Sequence, residues 1–393
     1  MLERLCYGDL PPKPHLALRG PDGQLRYEAC LTRQGFDGPF TIAYHQHRPQ
    51  ALQASGDPVF APLAGEARPG DGPGWLRPGF ARRHYRTAAL GSEAAGGPTA
   101  LLFNADLVVG CRKPTRDDSS YQLNAGADEL WFVLTGRGTV RSPLGDLDFQ
   151  TGDYVCIPKG MLFRLLIDAR EPQHYLSLEF CEGVGIPRAF RNAVGQLRMD
   201  APYSHRDFKR PRFEGPRDEG LRELWVRSGE TRQRFLYGHS PLDVVGWDGS
   251  VYPWAFPIRN FQPRVSSVHL PPTWHGTFEA AGALICSFVP RPLDFHPDAV
   301  PCPYPHSNVD IDEVLFYVEG DFSSRLGVER GSLTHHPRGV HHGPHPGRYE
   351  QSPGARHTEE VAVMLDCRLR LLPTRAASAV EDISYEASFH PPL

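Results

Sequence analysis

The chain has no uninterrupted apolar run of about 18 residues, the length a membrane-spanning helix needs. It has no CxxC pair either. Its eight cysteines, at 6, 30, 111, 156, 181, 286, 302 and 367, are too scattered for a zinc knuckle or a disulfide framework. Neither sign of charge dominates: 42 Lys and Arg against 46 Asp and Glu leave a formal net charge of −4 over 393 residues. Such a balance gives nucleic acid or an anionic membrane surface little to hold. The opening MLERLCYGDLPPKP lacks the apolar core of a signal peptide. Together with the scattered thiols, this reads as a soluble cytoplasmic protein with reduced cysteines.

Turn chemistry, by contrast, is abundant. Gly and Pro number 39 each, with no collagen-like or low-complexity period, so many short strands are expected rather than long helices. Pro-Asp-Gly at 21–23 marks a turn, and the Gly/Ala/Pro-rich stretches 64–74 and 90–98 are expected as loops. Around Leu101 the pattern becomes plainly β, in ALLFNADLVVGCR, ELWFVLTGRGTV and DYVCIPKGMLFRLLI.

An internal repeat organises the chain. DELWFVLTG at 128–136 matches DEVLFYVEG at 312–320, and GDYVCIPKG at 152–160 matches GSLTHHPRG at 331–339. Each unit is strand, Gly turn, strand, Gly-initiated strand, Pro-x-Gly turn, which resembles the cupin motif pair. The expected fold is mainly β: a bicupin of two jelly-roll-type antiparallel β-barrels, the second of them metal-binding. Residues 1–190 are expected to form an N-terminal β domain with a degenerate barrel (motif 122–163). Residues 191–260 would connect, and 261–393 would form the metal-binding barrel. Trp247, Tyr252, Trp254 and Phe256 in the connector suit either core or the wall of a pocket for a ring.

Seven of the 18 histidines lie between Phe295 and His345. His306 is followed seven residues later by Glu313, and His341, His342 and His345 close the stretch. Two neutral imidazoles and a carboxylate on one face, with open positions opposite, make the site of a non-haem Fe(II) oxygenase. A surface patch of histidines or a structural zinc site is the plainer alternative. The repeat supplies an internal control: Gln122 stands where the second copy has His306, and Phe163 where it has His342. Glu129 persists without imidazoles, so the histidines are not a requirement of the fold. His341 and His345 are adjacent alternatives to His342. His45 and His47 form an HxH pair with no carboxylate at useful spacing, which favours a structural or rim role.

Across nearly its whole length the chain resembles homogentisate 1,2-dioxygenase and its bacterial relatives. The stretches that carry this are GDLPPKPH, PDGQLRYEACLTRQGFDGPFTIAYHQHRP, HSPLDVVGWDGSVYPWAFPIRNF and, most specifically, HSNVDIDEVLFY with the later HHGPH. The resemblance implies Fe(II) ligands at His306, Glu313 and His342, an active-site base at His269 with His275 as its rival, and substrate contacts at Tyr304 and His336. It implies a small aromatic substrate and O₂ as partners, and a homo-oligomer, trimer or hexamer. Two departures bear on substrate. The segment from His306 to Glu313 is one residue longer than in the animal enzymes, and Phe322 stands where a second substrate-contacting tyrosine is expected. A lost hydroxyl changes which ring is accepted, because unpaired buried polar groups discriminate strongly. Gentisate is therefore an alternative substrate, and a non-catalytic bicupin the alternative of another class. Arg338 and Arg348 offer charge for a carboxylate arm.

Overall fold

A computed structural model describes residues 2–65, 79–92, 97–322 and 324–390. Most of the loop stretches expected at 64–74 and 90–98 lie outside the described residues. The rest is almost entirely β, as expected. Among the described residues the α-helices are Arg348–Gln351 and Arg375–Ala379, of four and five residues, and no helix is long and apolar enough to cross a membrane.

The repeat builds two seven-stranded antiparallel sheets. The first runs in the order Trp254–Pro257, Asp153–Ile157, Asp128–Thr135, His174–Phe180, Leu107–Arg112, Thr99–Phe103, Leu372–Pro373. The second runs Arg83–Arg86, Ser332–His336, Asp312–Glu319, Val361–Cys367, Ala283–Phe288, Gly276–Ala280, Val184–Gly185. The five central strands correspond one to one. The outermost strands are exchanged: 83–86 and 184–185, from the N-terminal part, edge the second sheet, and 372–373, from the C-terminal tail, edges the first. Among the described residues the sheets do not close into barrels; each is one antiparallel layer. An eight-stranded sheet reaching from Gly145–Gln150 to Leu52–Ala54 faces the first. On the second unit the described residues show one bridge at the matching position, His306 with His342.

Asp128–Thr135 and Asp312–Glu319 are buried along nearly their whole length. Both sequences run continuously apolar because both faces are covered. Successive side chains alternate between faces. Glu129 and Trp131, or Glu313 and Tyr317, look into their own unit, and the even residues look toward the other. Phe132 meets Phe316 edge-on at 6.5 Å, and Tyr154 bonds Ser287 Oγ at 2.9 Å. One hydrophobic cluster therefore runs through both units. The turn glycine after each strand has the same left-handed backbone, φ +103° at Gly136 and +105° at Gly320. At Gly320 a Cβ would come within 2.8 Å of Glu360 Cα.

The aromatic cluster is core. Trp247, Tyr252 and Phe256 are fully buried, Trp254 nearly so. Trp254 and Phe256 pack with Phe208 and Phe278 rather than walling a ligand site.

Candidate metal centre and active site

His306 and His342 are joined by a pair of backbone hydrogen bonds, each N–H donating to the other's carbonyl at 2.8 Å. Gly343 lets this pair lie flat against the incoming chain, since a Cβ there would sit 2.8 Å from Pro305 Cα. In the first unit the same register position holds Phe163 opposite Gln122. The two pairings, Phe163 with Gln122 and His342 with His306, fall at matching positions of the repeat. Glu313 enters from the neighbouring strand, opposite His336, just as Glu129 stands opposite Ile157.

One potential ligand atom from each of His306, Glu313 and His342 lies within 4.8 Å of the others. Each histidine spends Nδ1 on a carbonyl: His306 on Tyr304 O at 3.2 Å, His342 on Val340 O at 2.9 Å. That fixes the tautomer and leaves Nε2 with its lone pair free. His342 Nε2 is buried, has no hydrogen-bond partner and lies 3.7 Å from Glu313 Oε1. Burial alone would raise the Glu313 carboxyl. The His336 hydrogen bond, with the neighbouring imidazoles and Arg325, instead holds it at about 2. Burial pushes His336 down to about 3, so this imidazole is neutral. Its Nδ1–H donates to Glu313 Oε1 at 2.7 Å and its ring stacks on His342 at 4.7 Å. An ionised oxygen and two unprotonated nitrogens form a donor set that a divalent metal fits. Beside them burial, and then the Glu313 charge, raise Asp366 to about 7.

The other expected site residues fall into two groups. Tyr304 is half exposed, and its ring is edge-on to His306 at 6.2 Å and to His269 at 5.2 Å. His269 is thus one ring away from the metal-type cluster, with Nδ1 3.1 Å from Asp294 Oδ2. Its rival His275 is buried against Phe288 and Phe261 and is pushed to about 3 by burial, then by Arg291. His336 is wholly buried behind Glu313. Phe322 is also buried, with φ +43° and its ring edge-on to Tyr317 at 4.9 Å. His341 and His345 are not part of the cluster. His341 is exposed, and His345 Nε2 bonds Ser388 Oγ at 2.9 Å while its ring packs on Phe389.

Sequence reasoning missed several partners. Asp294, which orients His269, gives no motif signal. Arg338 is committed to Asp312 Oδ1 at 3.1 Å, and to the Arg368 carbonyl, so it is not free for a substrate. The HxH pair does meet a carboxylate. Asp243 accepts from His45 Nδ1 at 2.7 Å and from His47 Nδ1 at 3.0 Å. His47, Asp243 and His239 form a second group with potential ligand atoms within 4.8 Å. There the buried Asp243 oxygens already accept three hydrogen bonds, while His239 gives Nδ1 to Ser240 O at 2.9 Å and keeps Nε2 buried without a partner among the described residues.

The chain is similar to several known proteins. The family profile described as "Homogentisate 1,2-dioxygenase N-terminal" matches residues 110–258. A Saccharolobus solfataricus protein named "Putative dioxygenase" is 32% identical over 390 residues, covering 98% of both chains. "Homogentisate 1,2-dioxygenase" of Rhizobium etli is 26% identical over 308 residues, 72% of this chain. The match spans 63% of that relative's length, somewhat under two thirds. Among solved structures, a cupin 2 conserved barrel domain protein from Leptotrichia buccalis matches 75% of this chain and 100% of its own at 9% identity, with a TM-score of 0.33.

Proposed function

This chain belongs to the homogentisate dioxygenase-like family of cupin dioxygenases, and on that premise we propose that it is an Fe(II)-dependent enzyme that cleaves a hydroxylated aromatic ring with O₂. Homogentisate is the proposed substrate and a maleylacetoacetate-type compound the product. The observation that carries this reading is the cluster of His306, Glu313 and His342, two imidazoles and one ionised carboxylate with potential ligand atoms within 4.8 Å of one another.

His306 Nε2, His342 Nε2 and a Glu313 oxygen would hold the metal. Bound there, Fe(II) would supply the redox chemistry that couples an electron-rich ring to O₂. The protein's own part is binding, orientation and proton transfer. His336 fixes the Glu313 oxygen by a charge-assisted hydrogen bond. Tyr304, between His269 and His306, gives the substrate ring a face to lie against. Asp294 holds His269 with Nδ1–H toward the carboxylate, so Nε2 is the basic atom that takes a proton from the substrate hydroxyl. A ring-shaped acid and O₂ are the partners of this site, and a homo-oligomer is the proposed assembly.

Phe322 favours a second reading, an aromatic acid of different reach such as gentisate, because no hydroxyl stands at that position. The test is oxygen uptake by protein loaded anaerobically with Fe(II), with homogentisate and gentisate in parallel. We expect rapid uptake with homogentisate and a loss of about a thousand-fold or more in His342→Ala, since one of three ligands is gone. Uptake with neither compound, from protein holding stoichiometric iron, would refute both substrate assignments.

A further inference from the structure

Behind the metal-type cluster lies a group of buried polar atoms that no described residue satisfies. They include His336 Nε2, His342 Nε2, Arg325 Nη1 and Tyr385 Oη. The imidazoles belong to the centre already described. Arg325 and Tyr385 do not, and they come from different parts of the chain: the turn after Asp312–Glu319 and the C-terminal tail.

Arg325 is 8% exposed, an unusual position for a guanidinium. Its backbone N–H closes the turn on Phe322 O at 2.8 Å, and its Nε donates to Tyr317 Oη at 3.3 Å. Tyr317 shares a strand face with Glu313, four residues along. Its hydroxyl also meets Thr334 Oγ1 at 3.3 Å, and Thr334 precedes His336 by two residues on the neighbouring strand. The guanidinium therefore meets the interior face at Tyr317, two same-face positions along the strand from Glu313. Its charge is felt at Glu313, His336, His342 and Tyr385.

No carboxylate lies within ion-pair distance of Arg325 among the described residues. The first unit shows what a paired version looks like: Arg227 bonds Glu129 at 3.0 Å and Glu179 at 2.6 Å. A buried cation without a bonded anion is costly, and leaving a donor of it unmade adds to the cost. A planar fork of N–H groups is matched to a carboxylate. Tyr385, buried with its ring packed by His345, Phe389 and His84, adds an unbonded hydroxyl, and His345 links it to the Arg325 segment by accepting from Leu326 N at 3.3 Å.

We propose that Arg325 and Tyr385 form the receptor for the substrate's carboxylate, so that the site selects an aromatic acid over its neutral counterpart. The inference rests on the ring-cleaving reading above for the position of the ring, and it gives the acid arm a place that Phe322 cannot supply. Phe322, three residues before Arg325, has a left-handed backbone, and its carbonyl accepts the Arg325 N–H at 2.8 Å.

The test is anaerobic binding of 2,5-dihydroxyphenylacetate and its uncharged amide to the full chain loaded with Fe(II), read as dissociation constants by calorimetry. Wild type should prefer the acid by about ten-fold or more, the scale of one charge-assisted pair. Arg325→Met should bring the ratio to about one and leave amide affinity in place, with Arg325→Lys recovering part of the preference. Should Arg325→Met fail to fold, Tyr385→Phe removes only an unbonded hydroxyl and should lower the acid's affinity alone, by a few-fold. A wild-type ratio near one overturns the proposal, as does an acid preference unchanged in a folded Arg325→Met or, failing that, in Tyr385→Phe. Failure of the ring-cleaving reading looks different: the acid preference is present and sensitive to Arg325, but the loaded protein takes up no oxygen with the acid.

Discussion

Glu129 and Glu313 occupy one position of the repeat, and their neighbours decide what each can do. Arg227 bonds Glu129 at 3.0 Å, Trp131 Nε1 donates to it at 3.1 Å, and Arg112 stands 3.9 Å away. Its lone pairs are spent on the fold. Glu313 receives one neutral imidazole N–H from His336, and no Lys or Arg lies within ion-pair distance of it among the described residues. That leaves charge available to a metal. Substitution should separate the roles. Glu129→Gln breaks a buried charge network and is expected to cost about 3 kcal/mol in urea unfolding. Glu313→Gln keeps the volume and can still accept from His336, and it should abolish bound metal, whereas Glu129→Gln should leave metal binding in place. Metal retained in Glu313→Gln would mean that Glu313 is only a structural carboxylate.

The element that sets these side chains in place is the strand–turn unit, and its anchor is the aspartate before each glutamate. Asp128 accepts from Lys159 N at 2.7 Å and from Val184 N at 2.9 Å. Asp312 accepts from Arg338 N at 3.1 Å, Leu371 N at 2.9 Å and His335 Nε2 at 2.9 Å. In both copies one carboxylate ties the Pro-x-Gly turn to the start of the strand. The repeated Asp-Glu pair therefore sets two roles in adjacent residues, a clamp present in both units and a carboxylate that only the second unit places beside two imidazoles. Asp312→Ala leaves several buried donors unbonded and should cost about 3 kcal/mol. Because Glu313 and His336 flank the clamp, metal affinity should fall too, by about ten- to a hundred-fold in equilibrium dialysis. A variant with unchanged urea midpoint would show that the clamp holds nothing. The strands of the unit were legible in the sequence because apolar runs between glycine turns are a local signal. The His306–His342 pairing was legible because Gln122 and Phe163 mark the same register in the other copy. The partners that orient these groups were not. Asp243 is 198 positions from His45, and Arg227 is 98 from Glu129, separations at which no spacing rule operates.

At the scale of the whole molecule the exchange of edge strands, equally hidden from local pattern, turns two similar units into one body and buries histidines at the seam. His174, from the first sheet, has Nε2 3.1 Å from Thr87 Oγ1, and that hydroxyl donates to Gly331 O in the second unit. Burial, with Lys113 and Arg330 nearby, pushes His174 down to about 4. His345, which packs against Phe389 of the tail, is pushed to about 4 by burial and then by Arg325. An imidazole with a depressed folded value contributes its full stability above the unfolded value near 6.5, where it is neutral in both states. Between there and the folded value the unfolded chain binds the extra proton, so stability falls as pH falls through that window. His174 alone should account for about 3 kcal/mol lost between pH 6.5 and pH 4. Unfolding by urea at half-unit steps across this range should show the decline, and His174→Asn, which carries no proton to lose or gain, should flatten it by about that amount. Parallel curves for wild type and variant would mean that the proton enters the folded seam without cost, and that the two units are joined there more loosely than the burial of His174 implies.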